Sequence, residues 1–341
     1  MKKFIAFAMI VLSVSLVFAE GTKEDAARMK AAKNEVTVYA YDAFCGDWGP
    51  GAAVKEAFEA KTGITLNLVS AGSAIEMLSK IQMEGDRCPA DVVLGITDDF
   101  AYRAYGLLQP YEPEALKDIP DELEFDSQHR LIPFDYGVFS FVYDSESSVR
   151  RPESLMDLTA EEYKGKVILI DPRTSSVGLG LLLWTYNQFG ENYMDWWKAM
   201  KDNALAIASG WSAAYGLFTE GEAPIVLSYT TSPVYHVMYE DTARYEAVIF
   251  PEGHGSTLEG MGILKNAKNV ENAKAFIDFI LYDAQLDIAI ANSMYPVNGA
   301  VDLPEAFNYA PKPAIMYPSG EVSPEKTAEL LDTWTKVMVG L

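Results

Sequence analysis

The chain has 341 residues, 49% of them apolar and 22% charged, which is the composition of a globular protein large enough for two domains. Its 49 Asp and Glu against 27 Lys and Arg give a formal net charge of −22. This charge argues against binding to nucleic acid, which depends on basic patches. Most of the carboxylates are expected to form a solvated surface, although an acidic protein also suits a cationic ligand.

The N-terminal residues have the pattern of a secretory signal. Two lysines provide a positive start, residues 4–18 form an apolar run, and Ala19 ends a small-x-small sequence. We therefore predict a signal peptide over residues 1–19, a charged leader over 20–34, and a periplasmic protein. An uncleaved N-terminal anchor is the alternative, although the apolar run is short for a membrane span.

Strands and helices then alternate, as is typical of an α/β sheet. The pattern predicts strands at 35–41, 64–70 and 91–95, with helices at 52–62 and 74–84 between them. Parallel strands joined by helical crossovers bind ligands beyond their C-terminal ends. The loops that follow these three strands are therefore candidate ligand loops.

A long aromatic strand region at 131–144 separates this part from a second set of short strands and helices. In that set the predicted strands lie at 167–170, 204–208, 224–228 and 260–264, and the predicted helices at 177–189, 195–201 and 270–281. Two α/β lobes joined by long strands fit this order.

The two cysteines are predicted to be free thiols. Cys45 follows the first strand and Cys88 precedes the third, so parallel neighbouring strands put them at opposite ends of the sheet. Five strand residues span about 16 Å, whereas a disulfide needs Cα atoms within about 7 Å.

We find no catalytic or metal-binding motif. His129, His236 and His254 have no partner at metal-site spacing. No nucleophile elbow, Walker sequence or dinucleotide-binding glycine motif follows a strand. We therefore expect no metal, no cofactor and no enzymatic activity.

Aromatic residues stand near the predicted strand ends. The faces of Tyr and Trp stack on planar heterocycles and attract cations, at about 0.5–2 kcal/mol each. We assign Trp211 and Tyr229 to a ligand site because they lie beside small polar residues, and Phe44 to the core. The aromatic residues of these segments are Tyr41, Phe44, Trp48, Trp211, Tyr215, Tyr229 and Tyr235.

Ser175 and Ser176 precede the helix predicted at 177–189. One role for them is N-capping; another is an anion site, since a helix N-terminus offers free N–H groups and a positive dipole. The two roles are compatible, because one hydroxyl can cap the helix while the other faces a phosphate.

Several long segments, in order along nearly the whole mature chain, resemble the thiamine-binding periplasmic proteins of ABC importers. These segments lie at 39–51, 90–95, 133–144, 171–184, 210–218, 227–236 and 294–298. The resemblance implies a two-lobed periplasmic binding protein fold of type II, in which each lobe is a mostly parallel sheet flanked by helices. We expect the first part of lobe 1 at 35–135, lobe 2 at 136–255, and the return to lobe 1 with the C-terminal helices at 256–341.

The resemblance also implies a function. The family captures thiamine, thiamine phosphate or thiamine pyrophosphate in the cleft between the lobes and delivers it to an ABC permease in the inner membrane, usually as a monomer. Tyr41 is similar to the family's stacking tyrosine, and Ser175 to its serine near the hydroxyethyl or phosphate end. Trp211, Tyr229 and Tyr235 are similar to its aromatic contacts from lobe 2. The complete predicted site consists of Tyr41, Trp48, Ser73, Ser175, Ser176, Trp211, Tyr229, Tyr235 and Ser293.

Three positions depart from the family. Ser293 stands where the family usually has Trp, Ser73 stands where it tends to have an acid, and Gly255 replaces a residue that is often aromatic. Losing one aromatic stack and one charge-assisted hydrogen bond costs about 1–3 kcal/mol each, which is a change of affinity by orders of magnitude. An alternative is therefore the same fold with another cationic or heterocyclic ligand, such as a polyamine.

A further alternative comes from a different class of protein. Related folds occur in thiaminases that use a cysteine nucleophile, and Cys45 lies in the first ligand loop. A nucleophilic thiolate needs a base or a positive field, whereas Asp42 and Asp47 flank Cys45 with negative charge. A sensor subunit that presents its ligand to a receptor is the remaining alternative.

Overall fold

The computed structural model describes residues 34–340, so the predicted signal peptide and the leader up to residue 33 lie outside the described residues. Within residues 34–340, twelve strands form one sheet and eleven α-helices flank it. The strands are β1 (Glu35–Ala40), β2 (Thr65–Ser70), β3 (Val92–Thr97), β4 (Leu108–Gln109), β5 (Ile132–Asp144), β6 (Val167–Ile170), β7 (Ala204–Ala208), β8 (Ile225–Tyr229), β9 (Tyr245–Ala247), β10 (His254–Leu264), β11 (Tyr295–Pro296) and β12 (Met316–Pro318). The helices are α1 (Asp42–Cys45), α2 (Gly51–Thr62), α3 (Ala74–Glu84), α4 (Ala101–Ala104), α5 (Ser176–Phe189), α6 (Tyr193–Asn203), α7 (Trp211–Thr219), α8 (Pro233–Tyr239), α9 (Val270–Tyr282), α10 (Gln285–Asn292) and α11 (Pro324–Trp334).

The first half of the sheet has the strand order β2, β1, β3, β10, β5. As predicted, β1 is parallel to β2 and β3; β10 runs antiparallel to both β3 and β5. Val36 and Val38 of β1 belong to the core that contains Phe58 of α2. Tyr39 belongs to the core that contains Met77 of α3. Because both faces of β1 are covered, the three successive residues from Val38 to Ala40 are all apolar and buried.

The second half of the sheet continues through β8, β6 and β7. The long strand β5 joins the halves, since it pairs with β10 up to Val138 and with β8 from Phe139 to Tyr143. Helix α5 packs closely against this crossing strand, because a Cβ at Gly180 would lie 2.2 Å from the Phe139 ring. The predicted lobe limits fall in β5 and β10 and stay a prediction.

His254 ties the two crossing strands together. Its Nε2 accepts a hydrogen bond from the Phe250 backbone N–H (2.7 Å), so its Nδ1 donates to the Phe139 carbonyl (2.7 Å). The ring is fully buried and stacks on Trp184 of α5. Burial lowers the pKa of His254 to about 4, so the imidazole is neutral at physiological pH.

Most predicted elements are confirmed to within two residues, and β2, β3 and α6 differ only at their ends. Helices α7 and α8 are the main difference, because no helix is predicted at 211–219 or 233–239. The strand predicted at 260–264 begins earlier, at His254. Both cysteines are free, as predicted. Among residues 34–340, none of the helices is long and apolar enough to cross a membrane.

Candidate ligand-binding site

Tyr41 lies immediately after β1, at the C-terminal edge of the first half-sheet. Its ring rests against Gly95 of β3, where a Cβ would lie 2.0 Å from the Tyr41 Cδ1 atom. Gly95 has a φ of +97°, a conformation that only glycine adopts readily. The neighbouring Phe44 ring is fully buried, which confirms its assignment to the core. Gly95 therefore fixes where the Tyr41 ring lies.

Trp211 is the first residue of α7, at the edge of the second half-sheet. Its indole Nε1 donates to the Ser228 Oγ atom (2.7 Å), and its ring stacks on Tyr215 with centroids 4.9 Å apart. The ring of Trp48, from the first half of the molecule, lies 5.4 Å from it, centroid to centroid. The two halves thus meet through these two indoles, one on each side of the cleft.

A chain of polar groups continues behind Trp211. The Tyr215 hydroxyl lies 2.9 Å from His236 Nε2, and His236 Nδ1 lies 2.6 Å from a carboxylate oxygen of Glu240. Ser228 in turn pairs with Ser232 (Oγ to Oγ, 2.7 Å). These contacts fix the Trp211–Tyr215 stack on the side of Ser228 and His236, and Trp48 lies against the Trp211 ring.

Tyr229 ends β8, and its ring stacks on Phe139 of β5 with centroids 5.3 Å apart. A Cβ at Gly255 would lie 2.9 Å from Trp184 Cβ and 3.1 Å from Phe139 Cδ2. Trp184 and Phe139 therefore occupy the space where the family often has a larger side chain at this position. One of these rings, Phe139, supports the Tyr229 ring directly.

Two carboxylates lie where the crossing strands β5 and β10 pair. Asp135 and Glu259 are direct partners in the antiparallel register. The Asn292 amide donates to both the Tyr41 hydroxyl (2.7 Å) and the Asp135 Oδ2 atom (2.8 Å). The Tyr41 hydroxyl also lies close enough to Glu259 to offset part of the rise in pKa that burial causes in that carboxyl. Burial raises the pKa of both carboxyls, and for Asp135 the charge of Glu259 raises it further.

Tyr229 belongs to the same group. Burial raises the pKa of the Tyr229 hydroxyl well above its usual value, and the charges of Glu259, Asp135 and Asp99 add to the effect. Asp98, beside Asp99, is instead a structural acceptor: it receives hydrogen bonds from the Gly320 N–H (2.8 Å) and from Thr257. These residues form one cluster at the centre of the cleft, called here the central group: Tyr41, Asp135, Tyr229, Glu259 and Asn292.

The remaining predicted residues have different surroundings. Ser293 adopts a left-handed conformation (φ 50°) directly between Asn292 and Met294, and thus stands beside the central group. Ser73 is the N-cap of α3, where its Oγ accepts from the Glu76 N–H (3.3 Å). The ring contacts of Tyr235 are with His236 and Tyr239 of its own helix. The structure does not bring Tyr235 into ring contact with the central group.

Ser175 and Ser176 lie at the start of the 14-residue helix α5, at the C-terminal edge of the second half-sheet. Ser175 occupies the N-cap position, but its side chain makes no capping hydrogen bond. Its backbone N–H donates to the Asp171 carbonyl (3.1 Å). The expectation that one hydroxyl caps the helix is therefore not met by Ser175, and the helix N-terminus keeps its capacity for an anion.

Cys45 lies near Tyr41 in the chain but is poorly suited to nucleophilic chemistry. Burial raises the pKa of the thiol to about 11, and the charge of Asp42 contributes. The thiolate is the nucleophilic form, so at neutral pH Cys45 is almost entirely the unreactive thiol.

Sequence reasoning missed Asp135, Glu259 and Asn292. A signal for the first two was present, since each is an acidic residue in the interior of a long strand that the structure buries. Buried carboxylates in such segments are rare unless they are paired or bind a ligand. Asn292 carries no comparable signal, because its role depends on how α10 packs beside β5.

Two half-sheets joined by long strands, with an aromatic and acidic cleft at the junction, define a two-lobed solute-binding protein. The model of the bacterial extracellular solute-binding protein family matches residues 89–317. The thiamine-binding periplasmic protein of Salmonella typhimurium is 40% identical over 308 residues, which cover 89% of this chain and 92% of that protein. The counterpart from Brucella abortus is 38% identical over 299 residues, 86% and 89% of the two chains.

Solved structures agree with these relatives. A periplasmic thiamin binding protein superposes with a TM-score of 0.82 at 37% identity, covering 89% of this chain and 96% of that one. AfuA from Actinobacillus pleuropneumoniae superposes with a TM-score of 0.78 at 20% identity over 89% and 98% of the two chains, which shows the fold alone. The chain belongs to the family of the thiamine-binding periplasmic proteins, within the bacterial extracellular solute-binding proteins.

Proposed function

We propose that the protein captures thiamine or one of its phosphate esters outside the cytoplasm and delivers it to an ABC permease. The observation that carries this proposal is that Tyr41 and Tyr229 lie beside the buried carboxylates of β5 and β10. The rings of Trp48 and Trp211 meet between the two halves of the molecule. Thiamine has a permanently charged thiazolium ring and a flat aminopyrimidine, which suit aromatic faces and negative charge. The similarity to thiamine-binding relatives supports the same ligand.

Binding, rather than chemistry, is the proposed activity. Members of the family bind solutes, and the raised pKa of Cys45 argues against a thiaminase-like mechanism. Ligand binding would favour the closed arrangement in which Trp48 and Trp211 meet, and the permease would recognise that arrangement. A monomer is sufficient for this function.

The N-terminus of α5 is the proposed site for the hydroxyethyl or phosphate end of the ligand. Ser175 and Ser176 stand there, and a helix of this length provides N–H groups and a positive dipole for an anion. Replacing both serines by Ala should therefore weaken binding of thiamine phosphate and pyrophosphate more than binding of thiamine. Equal loss for all three would place the phosphate elsewhere.

A fluorescence titration of residues 20–341 with thiamine, thiamine phosphate and thiamine pyrophosphate tests the main proposal. Trp48 and Trp211 should report binding as saturable quenching with submicromolar dissociation constants. Loss of most of that signal in Trp211→Phe, but not in Trp196→Phe, would assign it to the cleft, since Trp196 is buried and bonds to Leu155. No response at millimolar ligand would refute thiamine as the ligand.

A second candidate ligand is another small organic cation, such as a polyamine. Asp135 and Glu259 favour positive charge in general, and Ser293 leaves the position without the ring that the family usually has there. Tighter binding of spermidine than of thiamine, measured by calorimetry, would favour this candidate.

A further inference from the structure

The centre of the cleft holds more buried acceptor atoms than the protein satisfies by itself. Asp135 is 0% exposed and Glu259 is 9% exposed. Asp135 Oδ1 and Glu259 Oε2 are buried without a hydrogen-bond partner. Because the two residues are directly opposite on β5 and β10, their side chains project from the same face of the sheet. An ionised carboxylate oxygen in this situation is strongly unfavourable unless a positive group compensates it.

The groups that face this pair provide no positive charge. Tyr41 approaches from the end of β1, Tyr229 from the end of β8 and Asn292 from the end of α10. The charge of Asp99, after β3, acts on Tyr229. No ion pair among residues 34–340 involves Asp135 or Glu259. All the neighbours are neutral or acidic, so the pair must be neutralised by a proton or by a bound cation.

We propose that Asp135 and Glu259 form a cation subsite that holds a shared proton in the ligand-free protein and exchanges it for the positive charge of the ligand. The inference rests on the proposed function in that it takes the thiazolium ring as this charge. Two adjacent carboxylates in a low-dielectric site cannot both ionise, so one keeps its proton. When the cation enters, that proton passes to the solvent and both carboxylates are ionised beside the ligand.

Asp135 and Glu259 recognise the positive charge of the ligand and not its hydrogen-bonding groups. The thiazolium nitrogen has no N–H to donate, so a carboxylate can attract it only through charge. Asn292 is the positioning residue, because its amide holds Asp135 and Tyr41 in fixed relation. The subsite also compensates for the acidic residue that is missing at Ser73, because it provides negative charge from β5 and β10 instead of from the loop after β2.

Proton exchange has a measurable consequence. If one proton leaves for each cation bound, the affinity for thiamine rises about tenfold for each pH unit in the range where the pair still holds its proton. A neutral ligand of the same shape gains nothing from ionisation of the pair. The thiophene analogue of thiamine, in which carbon replaces the charged ring nitrogen, is such a ligand.

The test is calorimetry of thiamine and of the thiophene analogue in buffers with different heats of ionisation, near neutral pH. The wild-type protein should release up to one proton with thiamine and none with the analogue. In Glu259→Gln and in Asp135→Asn the preference for thiamine over the analogue should fall at least about tenfold. In the double variant, which removes both buried carboxyls, the proton release should disappear. Glu114→Gln is the matched control, since it removes the charge of an exposed glutamate that bonds to Lys117.

Infrared spectroscopy of the ligand-free proteins tests the shared proton without any ligand. A protonated carboxyl band should be present in the wild type and in Glu114→Gln and should be reduced in the double variant of Asp135 and Glu259. Thiamine binding without proton release, and with an unchanged preference in the variants, would overturn the subsite while the proposed function stands. If thiamine does not bind, the proposed function falls, and the infrared band alone decides whether the pair shares a proton.

Discussion

Replacing Gly95 by Ala should displace the Tyr41 ring and weaken ligand binding. A Cβ at this position would lie 2.0 Å from Tyr41 Cδ1 and 2.5 Å from Cε1, distances that no relaxed structure tolerates. Gly95 also has a φ of +97°, which strains any residue with a side chain. Backbone adjustment is restricted because β3 is buried throughout and pairs with both β1 and β10. The ring must therefore move.

The expected loss has two parts. Strain at positive φ costs about 1–2 kcal/mol and the steric conflict about 1–3 kcal/mol, so the free energy of unfolding should fall by about 2–5 kcal/mol. Loss of one ring face over a cation costs about 0.5–2 kcal/mol, which weakens thiamine binding between about twofold and thirtyfold. Urea unfolding measures the first quantity and calorimetric titration with thiamine the second.

Gly63→Ala is the matched control. Gly63 also has a positive φ (68°), at the end of α2, but a Cβ there would have no neighbour within 4 Å. This variant should lose about 1–2 kcal/mol of stability from strain alone and bind thiamine as the wild type does. If Gly95→Ala loses stability but binds thiamine with unchanged affinity, the Tyr41 ring is not part of the site.

Three further predictions concern other parts of the molecule. Trp211→Phe should weaken thiamine binding about tenfold, because the smaller ring loses its hydrogen bond to Ser228 and part of its cation–π attraction; an unchanged dissociation constant would remove this ring from the site. Cys45→Ser should bind thiamine normally. In the wild type, the pKa of about 11 should make alkylation of Cys45 at least about a hundredfold slower than that of free cysteine. Fast alkylation at neutral pH would contradict the buried environment of the thiol. Burial lowers the pKa of His254 to about 4, below its value in the unfolded chain. The neutral imidazole therefore contributes fully to the free energy of unfolding above about pH 6.5, and this contribution is lost as the pH falls toward 4. Between about pH 7 and about pH 4, the free energy of unfolding of the wild type should fall by about 3 kcal/mol more than that of His254→Gln, as measured by chemical unfolding. If the free energies of the two proteins change in parallel with pH, the prediction is wrong.

The order of strands and helices was predictable because it depends on local patterns. Helix α3, strand β6 and strand β7 agree with the predicted ranges residue for residue. Helices α7 and α8 were missed because each is short and amphipathic only in its tertiary setting, where the ring of Tyr215 stacks on His236 across the two helices. Aromatic residues near strand ends gave no indication of a helix, since nothing local distinguishes a loop from a helix of seven to nine residues.

The family and the two-lobed architecture follow from the sequence alone, because long matching segments and the order of strands and helices are local properties, and the aromatic ligand site stays a prediction. Only the tertiary structure decides which groups meet in the cleft. Asp135 and Glu259 come together through the register of β5 and β10, and Trp48 and Trp211 meet because the sheet continues from one half to the other. Register and burial depend on contacts between residues far apart in the chain, and it is burial that makes two ordinary carboxylates an unpaired, proton-holding pair.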